Sequence, residues 1–91
     1  MNKKDRKEIA QKLGKMQELL AQIEAMRDFL DEKTSAEEEK YDNICERGFE
    51  SSPTGEWIEE SMQALEEAFT QIDEAHTGLE GAITTLEGAI E

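Results

Sequence analysis

Among 23 Asp and Glu residues the chain has a single histidine, His76, and a single cysteine, Cys45. These are the side chains whose types could do chemistry. His76 closes an Asp73-x-x-His76 spacing, close to the Glu-x-x-His pairs with which helical bundles hold two metal ions. One copy offers one histidine, so such a centre would need a homodimer. The same histidine also reads as a polar member of a helix–helix seam that fixes register by hydrogen bonding, or as a pH-sensing group. Cys45 has no CxxC partner and no histidine near it in sequence, and fits a small packing role near a loop. There is no glycine-rich phosphate loop, no nucleophile–base pair and no carboxylate pair that can be placed in a buried site. No catalytic residue, metal or cofactor is therefore expected, and the chain does not read as an enzyme.

The carboxylates form the remaining pattern. Glu59/Glu60, Glu66/Glu67 and Asp73/Glu74, then Glu80 and Glu87, recur every seven residues. On a helix this gives a line of negative charge at steps of about 10.5 Å. Duplex DNA shows one charge per about 1.7 Å of axis, a loose match that Glu37, Glu38 and Glu39 could fill in. A rigid acidic rod of this kind can occupy a basic nucleic-acid groove on another protein. The plainer reading is a solvated helix surface that keeps the chain soluble. That reading does not explain why no Lys or Arg follows Arg47, since Glu and Lys four apart support a helix.

The element that must carry these acids is strongly periodic. Ile58, Met62, Leu65, Phe69, Ile72, His76, Leu79, Ile83, Leu86 and Ile90 follow an unbroken 4-3 spacing, the heptad seam of a coiled-coil-like helix. With Met62 at position a and Leu65 at d, the acids fall at e and f. Ala68, Ala75, Ala82 and Ala89 fall at g, which widens the apolar stripe beyond a two-stranded seam. Gly78, Gly81 and Gly88 lower helix propensity by roughly 1 kcal/mol each. The first half repeats the spacing through Ile9, Leu13, Met16, Leu20, Ile23, Arg27 and Leu30, with Leu19 and Met26 at g. The register continues through Thr34, Glu37, Tyr41 and Ile44. Residues 31–40 hold no apolar residue but Ala36. Either one helix runs through this stretch, which has no Gly or Pro, or Ser35 and Glu38 form a capping box that starts a new helix near Thr34-Ser35.

Between the halves, Gly48 suits a left-handed position after a helix end, with Phe49 folding back on Tyr41 or Ile44. Ser52-Pro53 reads as an N-cap followed by proline at the first helical position. Asn2 can cap the first helix through Asp5. The predicted fold is all-α: a single domain over 1–91, with a helix over about 4–46, a loop over 47–52 and a helix over 53–90. A short connector makes the helices antiparallel neighbours. With the turn near residue 51, Ile44 falls near Ile58, Leu30 near Ile72, Leu20 near Ile83, Leu13 near Ile90, and Arg27 opposite His76. One seam offsets little of an ordering entropy of roughly 1–2 kcal/mol per residue. The wide stripe and the leftover Phe29, Tyr41 and Trp57 therefore predict a homodimer, forming an antiparallel four-helix bundle.

Composition excludes other classes. Ninety-one residues leave no room for a second core. The net charge of -13 argues against direct nucleic-acid binding. It is unevenly spread: residues 1–15 carry six basic and two acidic side chains, and residues 16–91 carry four basic and 21 acidic. One cysteine excludes a disulfide scaffold. There is no long apolar run for a membrane span, and the basic N-terminal segment lacks the apolar core of a signal peptide. A cytoplasmic protein is expected.

The segments KKDRKEI (3–9), YDNICE (41–46) and SSPTGEWIEE (51–60), with the LEEA and LEGAI repeats, resemble small helical proteins encoded by bacteriophages and prophages. The resemblance covers most of the chain. Cys45 and Arg47-Gly48-Phe49 stand where that pattern has a proline-containing turn. No catalytic residues come with the resemblance. It implies a phage or prophage origin, hence the cytoplasm of a bacterial host, and action by binding a host protein. Two functions follow as expectations. The first is a noncatalytic module whose acidic face (Glu59, Glu60, Glu66, Glu67, Asp73, Glu74, Glu80, Glu87) binds a basic host surface, as a nucleic-acid mimic or an inhibitor of a host nuclease or defence factor. The second is an assembly module acting through its apolar stripe.

Overall fold

The computed structural model describes residues 1–91. The protein is an all-α helical hairpin of two long helices, α1 over Lys3–Glu46 and α2 over Pro53–Ile90. α1 runs unbroken through residues 31–40, so the capping box at Ser35 and Glu38 is not used. Thr34 explains how a seam position there tolerates a polar residue: its Oγ1 donates to the Leu30 carbonyl at 2.7 Å. The hydroxyl is satisfied inside its own helix.

The helix ends follow from local chemistry. At the start of α1 the Asp5 amide donates to Asn2 Oδ1 at 2.8 Å, and the Arg6 amide to the Asn2 carbonyl at 3.1 Å. At its end Gly48 takes φ 75°. Its amide bonds the Cys45 carbonyl and the Phe49 amide bonds the Ile44 carbonyl, both at 3.0 Å. This is the Schellman closure. The backbone turns as expected, but the Phe49 side chain stays exposed instead of packing back. Ser52 then caps α2, its Oγ accepting from the Gly55 amide at 3.1 Å and donating to the Phe49 carbonyl at 2.6 Å.

The chain divides into two compact units, residues 1–26 with 72–91, and residues 27–71. In the 27–71 unit Ile58 is buried. Leu30, Tyr41, Ile44, Met62, Leu65 and Phe69 are half-buried at the expected seam spacing. Tyr41 thus belongs to the seam, whereas Phe29 and Trp57 are exposed. In the 1–26/72–91 unit Leu13 and Ile83 are buried, and Ile9, Met16, Leu20, Ile23, Ile72, Leu79, Leu86 and Ile90 are half-buried. Position g is left out of both helices there: Leu19, Met26, Ala75, Ala82 and Ala89 are exposed. The apolar stripe covered in this unit is a/d alone, whereas in the 27–71 unit Ser61 and Ala68 at g are half-buried as well. No large side chain is fully buried, as expected where two helices share one seam.

Candidate functional site

The acids of α2 sit where the heptad puts them. In the 27–71 unit Glu59 is half-buried, and Glu60, Glu66 and Glu67 are exposed. Glu67 Oε1 accepts a long 3.5 Å bond from Gln71 Nε2, one turn on. Glu59 acts on Tyr41. The Tyr41 hydroxyl bonds the Cys45 side chain, one turn further along α1. That bond first, then the negative charges of Cys45 and Glu59, holds the phenol above its ordinary acidity range. Cys45 is exposed, so the packing role expected for it is replaced by this contact. In the 1–26/72–91 unit Asp73 is half-buried, and Glu74, Glu80 and Glu87 are exposed. Glu87 Oε1 receives a 3.5 Å bond from Gln17 Nε2 on α1.

His76 is buried, with 6% of its surface exposed. Its Nε2 lies 3.0 Å from Glu24 Oε1. An ionised carboxylate only accepts, so the ring N–H donates. The partner is therefore Glu24, one turn before the Arg27 that the register sets opposite. Glu24 stands at position e of α1, facing the seam edge, which is the signal that could have found it. With the ring engaged across the helix pair, the Asp73-x-x-His76 spacing serves the seam. No group of three or more His, Cys, Asp or Glu side chains is gathered to hold a metal ion.

Sequence reasoning also passed over Gly55. A Cβ there would stand 2.6 Å from the Phe49 carbonyl oxygen and 2.7 Å from that of Glu50. The connector backbone lies directly on the first turn of α2, and only glycine admits it.

Charge on α2 is sorted by face. From Glu59 to Glu87 every acid stands at e or f, and positions b, c and g carry no charged residue from 61 to 90. At g and c lie Ser61, Ala64, Ala68, Gln71, Ala75, Gly78, Ala82 and Thr85, all small or uncharged. The hydroxyls at b and c turn inward, Thr70 to the Glu66 carbonyl, Thr84 to that of Glu80 and Thr85 to that of Gly81, at 2.9–3.1 Å. α2 therefore has one strongly acidic side and one neutral side.

The chain matches no family model, no curated protein and no solved structure. Neither helix is long and apolar enough to cross a membrane.

Proposed function

We propose that the protein is a noncatalytic interaction module whose acidic α2 side binds a basic surface of another protein. The observation that carries this is the sorting of charge on α2. Helix stability alone would favour interspersed lysines, and solubility alone would not confine acids to two heptad positions. A one-sided field of fixed carboxylates on a helix steers a basic partner and sets its orientation. A groove that binds nucleic-acid backbone has the complementary charge, so the reading extends to a nucleic-acid mimic acting on a nuclease or defence factor. The phage or prophage origin implied by the short motifs would make that target a host protein.

The assembly reading through the a/d stripe has less support, because the a/d residues are the ones each unit buries. An assembly surface would have to use apolar side chains that the units leave exposed, such as Leu19 and Met26 at g or Phe29 and Trp57 outside the seam.

The test is capture from nuclease-treated bacterial lysate, with and without excess duplex DNA. A defined prey is expected, displaced by DNA if its surface is a nucleic-acid groove. Glu59 is half-buried and Glu60, Glu66 and Glu67 are exposed, so the variant set best suited to leave the fold intact is Glu60→Lys, Glu66→Lys and Glu67→Lys. It should abolish capture with helicity unchanged. Capture that survives these three reversals would refute the acidic-side model.

A further inference from the structure

The 1–26/72–91 unit carries an edge that its own two helices leave uncovered. The Gln17–Glu87 and Glu24–His76 bonds lie on the e side of the helix pair and set its register. At that register the opposite edge, position g on both helices, brings Leu19 level with Ala82 and Met26 level with Ala75. Leu19 is 51% exposed and Met26 59%. Gly78 stands beside them at c, and a Cβ built on it meets nothing within 4 Å. Glycine there lowers helix propensity with no return from packing inside the chain.

We propose that this edge is a self-association surface whose occupant is a second copy of the chain, giving a four-helix bundle over this unit. Two features select that occupant. The first is charge. Two chains of net charge -13 repel, and joining them by their e edges would set Glu24 of one copy against Glu80 of the other. The g edge is the approach on which α2 has no acid to oppose. The second is size. A two-fold axis along the helices sets α1 of one copy against α2 of the other. The large Leu19 and Met26 then enter the space over Ala82, Gly78 and Ala75 of the second copy, and the same fit repeats in reverse. The surface is separate from the acidic side, which faces outward in such a dimer and remains free for another protein.

Analytical ultracentrifugation of the full chain at tens of micromolar tests this. A dimer mass is expected. Leu19→Glu with Met26→Glu should weaken self-association by at least ~30-fold without loss of helicity, since both side chains are exposed. Gly78→Lys is the second variant: the monomer has open space for it and should gain helicity, yet the dimer should be lost. Reversal of Glu60, Glu66 and Glu67 should leave the dimer intact, which separates this proposal from the acidic-side reading. A monomer mass for the unmodified chain overturns the proposal, and so does a dimer that persists in both variants.

Discussion

Each of the two units buries one polar seam residue, and they satisfy it in opposite ways. In the 27–71 unit Thr34, 9% exposed, turns its hydroxyl back on the Leu30 carbonyl of its own helix. In the 1–26/72–91 unit His76 reaches across to Glu24 on the other helix. A bond inside one helix survives any sliding of that helix against its neighbour. A bond between helices survives only near one register. The cross-helix pair therefore carries register information, and the local pair carries none. The glycines divide along the same line. Gly48 and Gly55 in the 27–71 unit are required, one by its φ of 75° and the other by the carbonyls pressed on it. Gly14, Gly78, Gly81 and Gly88 in the other unit all have open space. One unit makes the chain reversal, and the other sets how the helices align.

The largest effect should come from the glycines. Gly55→Ala pushes a methyl into two backbone carbonyls, which cannot swing aside as a side chain can. The connector has to shift, at a cost of about 1–3 kcal/mol. Gly81→Ala should instead gain about 1 kcal/mol from helix propensity. Thermal melts followed by circular dichroism give both signs directly. If Gly55→Ala melts at or above the unmodified chain, the connector does not rest on α2 as described.

The polar seam residues sharpen the comparison next. His76→Leu fills the seam with an apolar side chain and leaves Glu24, 49% exposed, free to rehydrate. Stability should rise by about 1 kcal/mol, as when a polar pair is replaced by packing. The cost should fall on register. Spin labels on the exposed Ala25 and Gly78, in a Cys45→Ser background, should report a broader distance distribution in His76→Leu than in its parent. Thr34→Val keeps the branched shape and removes only the local bond. It should change stability by less than about 1 kcal/mol and leave labels on exposed Asn43 and Ser51 undisturbed. An unbroadened distribution in His76→Leu would mean that apolar packing alone holds the register.

Much of this architecture can be read from the residues themselves. The 4-3 spacing marks the side chains that become buried or half-buried on both helices, because one recurring apolar edge is what a helix can hide against one neighbour. Asn2, Gly48 and Ser52 announce the helix ends, because capping is chemistry within a few residues. What stays hidden depends on contacts distant in sequence. Glu24, Asp73 and Glu80 all stand within a turn of His76 in register, and only the settled alignment chooses Glu24. Gly55 looks like an ordinary first-turn residue until the Phe49 and Glu50 carbonyls lie on it. The exposure of Leu19 and Met26 shows only once a/d proves to be the whole of the apolar stripe covered in the 1–26/72–91 unit. The acidic side is plain in sequence by its positions, but carboxylates state the sign of a partner's charge and not its identity.

The smallest effect concerns the end of α1 in the 27–71 unit, where Tyr41 bonds Cys45 and feels the charge of Glu59. The bond to Cys45 and the nearby negative charges favour the neutral phenol, so its pKa in the folded chain is raised above the ordinary value of about 10. A raised pKa means that folding holds the proton more tightly than the unfolded chain does. The corresponding stability is fully present below the unfolded value and is lost as pH rises through the folded one. Tyr41 is the only tyrosine, so tyrosinate absorbance reports it alone. Cys45→Ala removes both the bond and the largest charge contribution, and should move the titration back toward the ordinary range. Glu59→Gln removes a lesser cause and should move it less. If neither substitution moves the titration, Tyr41 does not lean on Cys45, and the seam at this end of the unit is looser than its burial implies.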